Sequence, residues 1–341
     1  MGVSLLLGAC SGGASDVPAT KTGSKTCQDV DLASPPKEPV TIRIGHGAAA
    51  EEPFWLMSVD KATNKYAGKW YDMKLSPFRG TAERLTAFQA GDLDAIIISP
   101  QAQIIGTARG AFELYTIATI MRDADSKAFS TSVVALEKSG IDGVKDLKGK
   151  TVAIIDEGSQ PDFVVRQGLQ EAGLDPARDV KFVVLPFPSQ EEALRGGQID
   201  VAVLPEPFYT LAMSKGGIKK VYDAGDITEF SYDLLTMSFG KTFVEKNIGV
   251  VCAWAADFGS SMDVYKSDPT AAKKKLIGTP FITLPESIYL KTSDYARPAG
   301  GVVDPKGTEQ MMETMIKFGV IKKSDRIDVS TLIRPGVSIG H

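Results

Sequence analysis

Between Lys150 and Phe208, apolar runs of strand length alternate with longer segments whose apolar positions recur every three or four residues. The runs are Val152–Ile155, Phe182–Leu185 and Val201–Leu204, and the alternation predicts a parallel sheet flanked by helices. The first intervening helix has a marked start. Ser159 can cap it, Pro161 sits where a missing N–H costs nothing, and Asp162 falls at the third helical position. Val165, Leu169 and Ala172 form its apolar face and Gly173 ends it. The second helix is predicted to open on Ser189–Gln190–Glu191–Glu192, a capping box, and to end at Gly196–Gly197.

The same grammar occurs earlier in the chain. Ile42–Ile44, Met73–Phe78 and Ala95–Ile98 read as strands, Pro53–Tyr66 and Thr81–Ala90 as helices. The third strands are introduced alike, by AGDLDAIIISP and GGQIDVAVLPEP, with Asp94 and Asp200 standing 106 residues apart. That period is too long for a solenoid repeat and predicts two lobes with the same βαβαβ core. Leu114–Ile120 supplies a further strand. The chain is then expected to cross near Arg122–Ser130 and return near Leu234–Gly240, so that one lobe is inserted into the other. Thr242–Asn247, Ala253–Tyr265, Pro269–Leu276 and Gly307–Phe318 read as helices. In the last, Met311, Met312, Met315 and Phe318 form a stripe, read as core.

Composition narrows the function. A chain of 341 residues with 43% apolar content has room for two domains with real cores. A net charge of −4 without a basic run gives no hint of nucleic acid. No apolar stretch reaches the roughly 18 residues a membrane-spanning helix needs. The two histidines are His46 and the terminal His341, which argues against a histidine metal site and a Ser–His–Asp triad, and there is no G-x-S-x-G elbow. No metal, cofactor or catalytic set is indicated.

The N-terminus reads MGVSLLLGAC. Leu7–Gly8–Ala9–Cys10 resembles the end of a bacterial lipoprotein signal, in which Cys10 is acylated, although no Lys or Arg precedes the short apolar run. Residues 1–10 are thus expected to be a signal remnant. The Gly-, Ser-, Thr-, Lys- and Pro-rich stretch 11–39 is expected to be a flexible tether. Of three cysteines, Cys27 and Cys252 then remain. They can pair outside the cytoplasm, or stay as thiols with Cys252 in the core.

LKGKTVAIIDEGSQPDFVVRQGLQEAGLDP and the following GGQIDVAVLPEPF resemble extracytoplasmic solute-binding proteins of the nitrate, taurine and alkanesulfonate ABC-importer family, which also includes binders of thiamine-precursor pyrimidines. The resemblance covers roughly Val40 to Pro335. It implies an α/β fold of two Rossmann-like βαβαβ lobes joined by a two-crossover hinge, of the type II periplasmic-binding-protein kind. Lobe one would be 40–129 with 236–341, and lobe two 130–235. It further implies a monomer that delivers a small molecule to the transmembrane subunits of an ABC permease, while the lipid expected on Cys10 would attach it to the cell membrane from outside the cytoplasm.

Ligands of open α/β sheets bind beyond the strands' C-terminal ends. The candidate contacts in lobe one are therefore His46, Gly47 and Glu51, then Arg79, Gly80 and Thr81, then Ser99, Pro100 and Gln101. His46 could equally be structural, and Glu51 with Glu52 suits a helix N-terminus. In lobe two, Gly158, Ser159, Gln160, Asp162 and Phe163 place a helix start at the cleft, and its free N–H groups would take an anion. Glu206 and Pro207, matching the family's Glu-Pro-Phe, would close the other side. Phe54, Trp55 and Phe78 are candidate stacking surfaces alongside Phe163. The resemblance implies a sulfonate, nitrate or carboxylate ligand. Acidic loops count against a bare inorganic anion. A pyrimidine ligand, a sensor module and an enzyme on the same fold, of the pyrimidine-synthesis or hydroxymethylbilane type, remain as alternatives.

Overall fold

The structure is a computed structural model that describes residues 25–341. Cys10 and its neighbours lie outside the described residues. Among the described residues are ten strands: β1 Val40–His46, β2 Tyr71–Pro77, β3 Ala95–Ile98, β4 Leu114–Asp123, β5 Ser132–Leu136, β6 Thr151–Ile154, β7 Lys181–Val184, β8 Val201–Leu204, β9 Ile218–Asp223 and β10 Tyr232–Gly240. The helices of the first part are α1 Glu52–Val59, α2 Thr81–Gln89 and α3 Pro100–Ala108. Those of the middle part are α4 Gln160–Glu171, α5 Phe187–Arg195, α6 Phe208–Ser214 and the single turn α7 Ala224–Ile227. The last part holds α8 Lys241–Lys246, α9 Ile248–Ser267, α10 Pro269–Leu276, the turn α11 Glu286–Tyr289, and α12 Pro305–Lys317.

The strands form two five-stranded sheets of identical topology, β2-β1-β3-β10-β4 and β7-β6-β8-β5-β9. In each, the first three strands are parallel and the fourth runs antiparallel to the third. The expected parallel cores are thus present in both sheets, and the antiparallel β10 and β5 are added to them. Each of these strands follows a passage of the chain from one sheet to the other. The repeat around the two aspartates has a physical basis. Asp94 Oδ2 accepts from the Arg43 N–H at 2.9 Å, and Asp200 Oδ2 accepts from the Thr151 N–H at 2.8 Å. The same two pairs are also joined backbone to backbone, so each aspartate clamps the third strand of its sheet to the first.

The chain passes between the sheets at 124–131 and 224–231, so the return falls before Tyr232 rather than near Leu234–Gly240. Asp123, at the end of β4, organises the crossing. Its carboxyl accepts from the N–H groups of Ala124 and Thr131, and from Gln160 Nε2 at 2.8 Å. The same Gln160 amide reaches the Tyr232 hydroxyl at 2.9 Å. Burial pushes the Asp123 carboxyl up to about 6.

Local differences from the sequence reading have clear causes. α5 begins at Phe187, with Pro188 in its first turn, and no side chain caps it. The expected box at Ser189 is absent because the helix starts two residues earlier, so Ser189 is its third residue and its own N–H donates to Pro186 O. α1 stops at Val59, well short of Tyr66, where Asp257 of α9 instead accepts the N–H groups of Lys65, Tyr66 and Ala67. Ser99–Pro100–Gln101 is not a plain loop: Ser99 caps α3, with Pro100 as its first residue.

From Lys25 onward the stretch expected to be a tether is fastened to the body. Cys27 and Cys252 form a disulfide with Cα atoms 5.4 Å apart. Val30 and Leu32 pack on the core of the first sheet, and Leu32 O accepts from Trp70 Nε1. That core gathers Ile42, Ile44, Trp55, Phe239, Trp254 and Phe258. The second sheet has its own, around Val133, Val152, Val165, Leu169, Val201 and Val203. A third apolar cluster joins the two: Phe163 of α4 packs with Ile104, Tyr232 and the methionines of α12.

Candidate functional site

The loops at the C-terminal ends of the parallel strands of both sheets enclose a cleft of about 590 Å³, well within the range of small-molecule sites. Its walls are mostly apolar. Ile155, Phe187 and Phe208 come from the second sheet's side, and Phe78, Met121 and Leu234 from the first. Tyr295, from the segment before α12, and the Pro186–Phe187–Pro188 turn complete the lining.

Against these walls stand Arg84 and Glu51. Arg84 lies one turn into α2 and is only 5% exposed. Its side chain makes no hydrogen bond or ion pair among the described residues, and its Nε is buried without a partner. A buried guanidinium so placed is costly, and it disfavours its own charge: burial lowers its pKa against the opposing effect of Glu51 and Asp156. Glu51 is also buried, and both carboxyl oxygens accept from the Gly47 N–H, at 2.9 and 3.2 Å. Burial pushes it up to about 7, although Arg84 and the Gly47 N–H pull the other way. Gly47 is required for this approach, since a Cβ there would lie 2.9 Å from the Glu51 carboxyl and 3.3 Å from the guanidinium.

Of the residues expected from sequence, Gly47, Glu51, Phe78, Arg79, Gly80, Thr81, Ser99, Ser159 and Gln160 line the cleft. Arg79 is exposed. The others are placed elsewhere. His46 is buried between Phe54 and Phe281, its Nδ1 2.8 Å from Gly47 O, and burial lowers its pKa. Pro100 and Gln101 belong to the first turn of α3, and Gln101 faces Met311. Phe163 is in the cluster with α12, and Phe54 and Trp55 are core.

The start of α4 is filled by its own groups. Asp162 accepts from the Gly158 N–H and pairs with Arg166, Ser159 Oγ caps the Asp162 N–H, and the Gln160 amide is bound to Asp123 and Tyr232. Glu206 does not reach the cleft, because its carboxylate accepts from the Thr210 hydroxyl at 2.7 Å and the Ser293 N–H at 3.1 Å. Pro207 precedes α6.

Sequence reading missed Arg84, the 186–189 turn, Phe208 and Tyr295. Arg84 carried a usable signal, lying three residues after Thr81 on the same face of a helix that opens at a strand's C-terminal edge. Tyr295 carried none, for it reaches the cleft from a segment far along the chain.

Two sheets of this topology, passing the chain between them twice over a shared cleft, define a periplasmic-binding-protein fold. The chain belongs to the NMT1-like family, whose sequence profile matches residues 35–256. It is 24% identical over 229 residues to the putative aliphatic sulfonates-binding protein of Escherichia coli K12, covering 67% of this chain and 66% of that one. It is 28% identical over 174 residues to the phosphate-import protein PhnD of Mycolicibacterium smegmatis, covering 50% of each. The chain thus spans between half and two thirds of the length of these curated relatives. In three dimensions it resembles the alkanesulfonate-binding protein SsuA of Xanthomonas axonopodis pv. citri bound to MOPS. The TM-score is 0.72 at 17% identity, over 88% of this chain and 99% of that one.

Proposed function

We propose that this protein is the extracytoplasmic solute-binding component of an ABC importer, and that it takes a small organic anion with an apolar body, of the sulfonate or carboxylate class. Arg84 carries the reading: a buried cation without a partner faces an apolar cleft, and an anion is the group that would satisfy it. The relatives named for sulfonate binding support the class. The segments built on the two sheets act as lobes, 130–235 against 40–129 with 236–341, with the return strand β10 assigned to the latter. A ligand touching both lobes favours the closed form, which the permease recognises. Cys10 carries a lipid that holds the protein at the outer face of the membrane.

Calorimetric titration with a series of linear alkanesulfonates tests the ligand class. Wild type is expected to bind, more tightly as the chain lengthens from methyl to butyl, and Arg84→Met to bind at least about tenfold more weakly. Absence of binding to every sulfonate and carboxylate in the series, or equal affinity in Arg84→Met, overturns the reading. Binding of an aminomethylpyrimidine instead would favour the pyrimidine alternative. For the anchor, Cys10→Ala is expected to move the protein from the membrane to the soluble fraction of its host.

A further inference from the structure

The start of α2 is an unusual helix terminus. Its N-cap is Gly80, which has no side chain to cap with. The terminus is nevertheless occupied, by a residue from the other half of the molecule. Asp156, in the loop after β6, directs its Oδ2 at the Thr81 N–H, 2.5 Å away, and at the Ala82 N–H, 3.4 Å away. The two residues are 75 positions apart in sequence and belong to opposite sheets. Gly80 makes this possible, because a Cβ there would stand 2.5 Å from the same Oδ2. Its backbone is extended, with φ at −151°, so alanine meets no backbone penalty at this position, only the collision with Asp156. One turn further along the same helix stands Arg84, buried and without a partner, and it attracts Asp156 through space. The terminus and the guanidinium together would suit an anion, and the chain supplies its own carboxylate to the terminus.

We propose that Asp156 is a resident counter-ligand: it latches the two lobes across the cleft by capping α2, and by filling that helix terminus it confines the ligand's anionic group to Arg84. This rests on the reading of the cleft as an anion site, but the latch itself does not require any ligand. Two consequences follow. The ligand-free protein keeps its lobes in contact through Asp156. A compact tetrahedral anion such as sulfate is refused, because the N–H groups that would hold it are taken and a carboxylate lies beside the cation.

The test uses Asp156→Ala, Asp156→Asn and Gly80→Ala in the full chain. Without ligand, amide exchange at Thr81 and Ala82 is expected to be at least about tenfold faster in Asp156→Ala and in Gly80→Ala than in wild type, as for loss of a charge-assisted hydrogen bond. Because the two residues act through one contact, the double variant is expected to exchange no faster than either single one. Unchanged exchange in both single variants, each shown to be folded by its circular dichroism, overturns the latch even if sulfonates bind. For the second consequence the probe is inorganic sulfate. Asp156→Asn is expected to bind sulfate at least about tenfold more tightly than wild type, with the Thr81 and Ala82 amide resonances shifting on titration. Equal sulfate affinity in wild type and Asp156→Asn overturns the selectivity role. Failure of all sulfonate binding with the exchange results intact would remove the ligand class and leave the latch standing.

Discussion

Arg84 and Glu51 show how a site can be held ready at a cost in stability. Each is buried, they share one cleft wall, and neither forms an ion pair with the other within contact distance. Replacing Arg84 by Met keeps the side-chain length and removes the buried charge, so Arg84→Met is expected to be as stable as wild type in urea, or more stable, while losing anion binding. A loss of several kcal/mol would instead mark Arg84 as a structural residue.

Glu51 gives a pH signature. Its carboxyl rises from the ordinary 4.5 to about 7 on folding, so the native state binds a proton more tightly than the unfolded chain. Its stabilisation is therefore full below pH 4.5 and is lost as pH rises towards about 7, by an order of roughly 3 kcal/mol. Asp123 titrates with the same sign, so the informative quantity is wild type minus Glu51→Gln. That difference is expected to fall between pH 4.5 and 7 and be level above. A flat difference curve would mean that Glu51 keeps its ordinary acidity.

At the scale of elements, the two sheets share a construction rule. An aspartate before the third strand bonds back to the first, once at Asp94 and once at Asp200. This is why the sequence repeat was visible: a backbone geometry met twice needed the same short acceptor twice. The antiparallel β5 and β10 were not assigned from sequence, because each follows a crossing of the chain and its place in a sheet is set by a partner strand distant in sequence. The N-terminal segment is an element in its own right, held to α9 by Cys27–Cys252 across a sequence separation of 225 residues. Serine at both cysteines is expected to lower stability to urea by roughly 2–4 kcal/mol. Matching curves for oxidised wild type and the double variant would show that Val30, Leu32 and the Trp70 contact suffice to hold the segment.

The whole molecule depends on one small polar centre where the chain passes between sheets. Gln160 of α4 reaches across to Asp123 and Tyr232, and Phe163 on the same helix packs against α12. Gln160→Ala leaves a buried carboxyl short of a donor, which is expected to cost on the order of 1–3 kcal/mol. It is also expected to broaden the distance between spin labels placed on the two lobes in the absence of ligand. An unchanged distance distribution would assign the coupling to the apolar cluster and the Asp156 contact instead. The methionine stripe of α12 fits this picture: it was recognisable as core, but that it faces Phe163 and Tyr232, one from each side of the crossing, was not.

Periodicity along the chain determined β1 to β4 and β6 to β8, most helices, the duplicated core and the loops that open on the cleft, because each depends on neighbours within a few residues. Nine of the expected contacts line the cleft for the same reason: Gly47, Glu51, Phe78, Arg79, Gly80, Thr81, Ser99, Ser159 and Gln160 sit where strand ends must point. The rest was decided by contacts between distant segments. Whether a polar side chain is available to a ligand depends on which partners the fold brings to it. Glu206 is engaged by Thr210 and Ser293, and the α4 start by its own Asp162, while Arg84 is left without a partner. Such pairing is set by tertiary packing, and the order of residues along the chain does not encode it locally.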